Sequence, residues 1–66
     1  MNIVLNGETK QVQDNITAAQ LVEQLGLKGK RLAIEVNLEI VPRSTYSDRV
    51  LKPDDRVEIV HAIGGG

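Results

Sequence analysis

The residues best suited to chemistry stand at the end of the chain, where Gly64-Gly65-Gly66 follow the strand-like run Val57-Glu58-Ile59-Val60-His61-Ala62-Ile63. Glycine has no Cβ, weakens ordered structure and gains nothing from burial, so three in a row predict a tail outside the folded body. Extended, such a tail reaches roughly 10 Å. It can thread a narrow channel and deliver a terminal carboxylate into another protein's active site. An α-carboxyl is ionised at neutral pH, and an ionised carboxylate can attack an activated phosphorus. A glycine-rich terminus is also what a frayed end looks like, so the elements that precede it must decide between the two.

No second chemistry competes with the tail. His61 is the one histidine, and no Ser, Cys or carboxylate is arranged to work with it as nucleophile or base, so it is expected on a strand face. Cysteine is absent, which excludes disulfides and thiolate metal sites, and no His/Asp/Glu spacing suggests a metal. Lys28, Lys30 and Arg31 form a small basic cluster expected to be a solvated loop. Net charge is −1 and Tyr46 is the single aromatic, so both the electrostatics and the stacking platforms of nucleic-acid binding are missing. No apolar run approaches the roughly 20 residues that span a bilayer, and the opening residues carry no signal-peptide pattern. These features predict a soluble, cytoplasmic protein with no nucleic-acid or membrane partner.

The chain has 66 residues, 41% of them hydrophobic and nearly all of those aliphatic. A domain of this size buries only about 60% of the surface its unfolded chain exposes. Aliphatic packing alone must hold it. Ile3-Val4-Leu5, then Asn6-Gly7, then Glu8 to Val12 predict a hairpin of residues 2–5 and 9–13, since Asn-Gly tolerates the positive φ of a type I′ turn. Thr17-Ala18-Ala19-Gln20 fits a capping box, with Ile16 placed to staple onto the first turn. Leu21 and Leu25, with Ala18 and Val22, give the helix its apolar face, and Gly26 stands where a left-handed C-cap belongs. The helix is expected over about 17–25.

Leu32 to Asn37 alternates as a strand with Leu32, Ile34 and Val36 on one face. Leu38-Glu39 is expected as a turn, and Ile40-Val41 as a short strand that Pro42 ends at a sheet edge. One helical turn is predicted over 44–49, with Tyr46, Val50 and Leu51 packing beneath it. Pro53-Asp54-Asp55 should form a turn before the last strand. The order β-β-α-β-β-β with one main helix indicates an α+β fold: a β-grasp, or ubiquitin-like, mixed sheet of four to five strands with the helix on one face. The expected division is a domain over 1–63 and a glycine tail over 64–66.

On these residues the chain resembles the ThiS/MoaD family of ubiquitin-like sulfur carriers, over essentially its whole length. The matching segments are Met1-Asn2-Ile3-Val4-Leu5-Asn6-Gly7, Leu21-Val22-Glu23-Gln24-Leu25, Val36-Asn37 with Ile40-Val41-Pro42-Arg43, Asp55-Arg56-Val57-Glu58-Ile59 and Gly65-Gly66. Ile-Val-Pro-Arg and the minimal length point towards the ThiS branch. Asp54 departs from the glycine that many relatives place in that turn.

The resemblance implies a carrier that is a substrate rather than an enzyme. An adenylating enzyme (ThiF), using ATP and magnesium that this chain does not itself bind, would activate the Gly66 carboxylate. A cysteine desulfurase system would supply sulfur as a persulfide, and thiazole synthase (ThiG) would take it from a Gly66 thiocarboxylate into the thiazole of thiamin. Gly64 and Gly65 would thread the partner's channel. Ile40, Val41, Pro42, Val60, Ala62 and Ile63 would form the docking surface, with Arg43, Arg56, Asp54, Asp55 and Glu58 available to steer it. A free monomer is expected. Carriers for molybdopterin synthase, cysteine synthesis or tRNA thiolation share the Gly-Gly ending and stay open as alternatives. So does a β-grasp binding module that is never modified.

Overall fold

Two asparagines at the corners of the sheet show how local sequence builds this fold. The computed structural model describes residues 1–61. Strand β1 (Asn2–Leu5) turns through Asn6-Gly7 into β2 (Glu8–Gln11), with φ of 49° and 85° at the two turn residues. That is the positive-φ pair a type I′ hairpin requires. Strand β3 (Leu32–Val36) turns through Asn37-Leu38 into β4 (Glu39–Val41), again with positive φ at both residues, 52° and 71°. The last strand, β5 (Arg56–His61), enters between the two hairpins. The order in the sheet is β2-β1-β5-β3-β4, with β1 and β5 parallel and the other neighbours antiparallel.

Each corner asparagine also bonds β5 through its side chain. Asn6 accepts from the Ile59 N–H at 2.9 Å and donates to the Ile59 carbonyl at 3.2 Å, across 53 residues of sequence. Asn37 accepts from the Arg56 N–H at 3.0 Å and donates to Asp55 Oδ1 at 3.0 Å. The carboxamide thus continues the ladder where the neighbouring strand has turned away. Asn6→Ala removes two hydrogen bonds, strands the half-buried Ile59 peptide and leaves an alanine at positive φ. Its expected cost is about 2 kcal/mol, or roughly 10 °C in Tm by circular dichroism. A shift below about 2 °C would show that the carboxamide is dispensable.

Helix α1 (Ala18–Gln24) begins and ends on the predicted devices. Thr17 Oγ1 accepts from the Gln20 N–H at 3.1 Å, and Gln20 Oε1 accepts from the Thr17 N–H at 2.9 Å. At the other end Gly26 has φ 73°; its N–H donates to the Glu23 carbonyl, and the Leu27 N–H to the Val22 carbonyl. That pair of bonds is a Schellman motif. Ala18, Leu21 and Val22 on the helix share one buried cluster with Ile3, Ile34, Val36, Val57 and Ile59 of the sheet, so α1 covers one face. The β-grasp order is therefore observed, with five strands among the described residues.

Four expectations are corrected. Strand β2 runs Glu8–Gln11 rather than 9–13, although Val12 is buried and its N–H bonds the Met1 carbonyl. The second hairpin turns at Asn37-Leu38, one residue earlier than expected. That register pairs Ile34 with Val41, both buried, whereas a one-residue slip would turn Val41 to the opposite face. The turn over 44–49 is a short 3₁₀ helix at Arg43–Thr45, started by Pro42. Of the residues expected beneath it, Leu51 is buried and Tyr46 half-buried. Val50 is exposed, its backbone instead bridging Thr17.

Candidate functional site

Strand β5 is the element that leads to the predicted reactive end. It lies between β1 and β3, pairs with β3 along its length from Val36↔Val57 to Leu32↔His61, and alternates as predicted, with Val57 and Ile59 buried. His61 is the last described residue, paired with Leu32 of β3, whereas β1 pairs with β5 only at Arg56 and Val57. The expectations for Ala62, Ile63, Gly64, Gly65 and Gly66 lie outside the described residues.

The helix occupies one face of the sheet, and the other carries the outward residues of each strand. Their order across the sheet follows from the register. Glu58 lies opposite Glu35, which lies opposite Ile40; Val60 lies opposite Ala33. Val60 and Ile40 are 70% and 76% exposed, far beyond what packing within the chain would leave. Pro42 is also exposed, directly after β4 at the sheet edge. Of the described residues predicted for a docking surface, Ile40, Pro42 and Val60 have accessible side chains. Val41 does not: it is 4% exposed and belongs to the core, because it faces Ile34 on the helix side. Alternation along β4 means that Ile40 and Val41 cannot share a face.

From the sequence Leu38 is expected only as a turn residue, not as part of a docking surface. It sits in the second hairpin turn at φ 71° and is 85% exposed. A left-handed conformation costs a residue with a Cβ about 1–2 kcal/mol, which is why glycine usually holds this place. A large apolar side chain is therefore kept in solvent at a conformational cost, at the tip beside Ile40. The signal in the sequence was Asn37 followed by a non-glycine, and tertiary hydrogen bonds from Asn37 made that turn hold.

His61 is half-buried, and no hydrogen bond to its side chain occurs among the described residues. Nothing there prepares it as an acid or base. No group of His, Asp and Glu among the described residues could hold a metal. Of the basic cluster, Lys28 meets Glu23 at 3.7 Å in an exposed pair, worth little in water. Lys28 and Lys30 border a groove on the helix side together with Arg43 and Tyr46, over a floor that includes Val22 and Leu27. No described helix is long and apolar enough to cross a membrane.

The fold has known counterparts. The ThiS family model matches residues 3–66, reaching through the glycine tail. A sulfur carrier protein ThiS from Bacillus subtilis is 36% identical over 63 residues, covering 94% of this chain and 96% of that protein. A thiazole synthase from Paramagnetospirillum magneticum is 41% identical over all 66 residues, but the chain spans only 20% of that relative's length. Among solved structures, the thiamine biosynthesis protein ThiS from Geobacter metallireducens superposes with a TM-score of 0.85 at 26% identity, each chain covered in full. With a family model matched from Ile3 onward, relatives that are sulfur carriers by name and a β-grasp that superposes on a solved ThiS structure, the chain belongs to the ThiS family.

Proposed function

We propose that this chain carries sulfur for the thiazole of thiamine, on the carboxylate of Gly66, and is a substrate of its partners rather than an enzyme. The observation that supports this most directly is the extent of the family match, which includes Gly64-Gly65-Gly66. The position of β5 suits the role, since its pairing with β3 as far as His61 gives a tail a fixed origin.

A carboxylate is a poor electrophile, so it must first be activated. In the proposed sequence the Gly66 carboxylate attacks the α-phosphorus of ATP in an adenylating partner that holds magnesium, and pyrophosphate leaves. A persulfide from a cysteine desulfurase system attacks the acyl carbon and expels AMP, leaving an acyl disulfide. A second thiol then cleaves the sulfur–sulfur bond, is itself oxidised to a disulfide, and frees the thiocarboxylate. Its sulfur is a better nucleophile than the original oxygen, and thiazole synthase receives it. Ile40, Pro42 and Val60 provide apolar surface on the sheet face for those partners, with Gly64 and Gly65 giving the carboxylate access. The likeness to a protein named thiazole synthase favours the thiazole pathway over the other sulfur-carrier pathways.

The test is to incubate the protein with the adenylating enzyme, magnesium ATP and a persulfide source, and to measure its intact mass. Replacement of one oxygen by sulfur is expected, followed by its loss when thiazole synthase and its other substrates are added. An unchanged mass, under conditions that convert an established ThiS, would sink the carrier reading. A thiocarboxylate that thiazole synthase does not consume would place the carrier in another pathway.

A further inference from the structure

The sheet face opposite the helix contains an arrangement that the fold does not need. Glu35 and Glu58 are directly opposed on neighbouring antiparallel strands. Such partners have Cβ atoms roughly 5 Å apart, and like charges placed so destabilise a sheet. Glu35 is moreover half-buried on β3, where only β4 lies between it and the sheet edge, while Glu58 is exposed. Among the described residues the ion pairs are that of the Met1 amino group with Asp14 and that of Lys28 with Glu23, so neither Glu35 nor Glu58 meets a cation. Arg56 stands two residues before Glu58 on the same face and forms no pair with it.

Towards β4 and the end of β5 the surroundings of the pair are apolar, whereas Arg56 and Asn37 stand at the other end. Ile40 flanks Glu35 on the β4 side, and Val60 with Ala33 forms the next row towards the end of β5. On the other side, a shallow hollow bordered by Val4, Gly7, Arg56 and Glu58 opens between β1 and β5. A partner that covers this face with an apolar surface alone would bury two unpaired carboxylates at a heavy desolvation cost. A partner with a basic side chain at the centre of an apolar surface would neutralise both at once. An arginine suits two adjacent carboxylates best, because its planar fork donates in two directions.

We propose that Glu35 and Glu58 together seat a basic side chain of thiazole synthase, on a docking surface completed by Ala33, Ile40 and Val60. The inference rests on the carrier reading above and assigns this face to one of its partners. The choice of partner follows from the relative named thiazole synthase that contains a segment like this chain at 41% identity. Sharing one polypeptide keeps two units at high effective concentration and fits units that act on each other. The like-charge pair then has a purpose: its repulsion in the free carrier is relieved only on docking, and it rejects acidic or purely apolar surfaces.

The experiment measures binding of the unmodified full chain to thiazole synthase from the same source by isothermal titration, at low and high salt. Glu35→Gln with Glu58→Gln keeps the shape and removes the charges. Binding at low salt is expected to weaken by roughly tenfold or more, and the salt dependence of the native chain should largely vanish. The Tm of the same variant should match or exceed that of the native chain by about 2 °C, because the opposed charges are gone. Glu35→Lys with Glu58→Lys should abolish measurable binding.

Unchanged affinity and salt response in the Gln variant would overturn the proposal. So would a weakening that arrives with a lowered Tm, since it would report damage to the fold. Thiocarboxylate formation by the adenylating enzyme is followed in parallel by intact mass. If the Gln variant loses that step but binds thiazole synthase normally, the face serves the adenylating enzyme and the proposal is wrong. If the native chain is thiocarboxylated yet does not bind thiazole synthase, the docking inference fails while the carrier reading stands. If the native chain is never thiocarboxylated, the carrier reading itself fails.

Discussion

Deleting Gly66, or adding one residue after it, is expected to abolish thiocarboxylate formation while leaving Tm within about 1 °C of the native value. The reason is geometric. Each extended residue spans about 3.3–3.6 Å, so removing one withdraws the carboxylate by about as much as the whole separation of reacting atoms, about 3–3.5 Å. A displacement of even 1 Å can cost about 10²-fold in rate. The added residue acts differently: it turns the Gly66 carboxylate into an amide and carries a new carboxylate past the reacting position. The two variants therefore fail for opposite reasons, and together they fix both the group and its distance. The unchanged Tm is expected because the buried cluster of the described residues is drawn from Ile3 to Ile59. Intact mass after incubation with the adenylating enzyme, magnesium ATP and persulfide reads the first quantity, and a thermal melt the second. Normal sulfur incorporation in the extended variant would mean that Gly66 is not the acceptor.

Leu21→Ala should have the largest effect on the fold. Leu21 is wholly buried at the middle of α1, in the cluster that joins the helix to Ile3, Ile34 and Val57 of the sheet. Truncating a buried leucine costs about 2–5 kcal/mol, the spread reflecting how far the site can collapse. A helix this short has little stability of its own and depends on that face. At about 0.05–0.15 kcal/mol per residue, a chain of this length has only about 3–10 kcal/mol in all. The variant should melt roughly 10–30 °C lower and be partly unfolded at 37 °C, with sulfur incorporation falling in proportion to the folded fraction. Leu21→Met, which nearly conserves volume, should lose less than about 1.5 kcal/mol. A fall of less than about 3 °C for Leu21→Ala would show that the helix is not held by this residue.

Much of this architecture was legible because its signals are local. Asn6-Gly7 allows few backbone solutions between two strands. Thr17 and Gln20 satisfy each other's backbone within one turn, and Gly26 closes the helix by its own conformational freedom. Alternation from Leu32 to Val36 and from Val57 to Ile59 separated the buried face from the exposed one. The second hairpin shows where local signals mislead. Local pattern suggests a turn at Leu38-Glu39, because Leu32 to Asn37 reads as one continuous strand and no glycine marks the corner. Bonds from Asn37 to Arg56 and Asp55, together with burial of Val41 against Ile34, outweigh that pattern. The same shift moved Val41 out of the predicted docking surface and left Ile40 in it.

The sequence by itself determined the order of most elements and the inward residues of α1, β3 and β5, and singled out Gly66 as the group proposed for activation, because propensity, capping and periodicity act over a few residues. Only the tertiary structure decided that β5 runs between β1 and β3, that Leu38 is held in solvent, and that Glu35 faces Glu58. Periodicity tells which face a side chain occupies but not which strand lies beside it. That choice depends on pairings between distant segments, such as Asn6 with Ile59, whose benefit appears only after the chain has closed the loop between them.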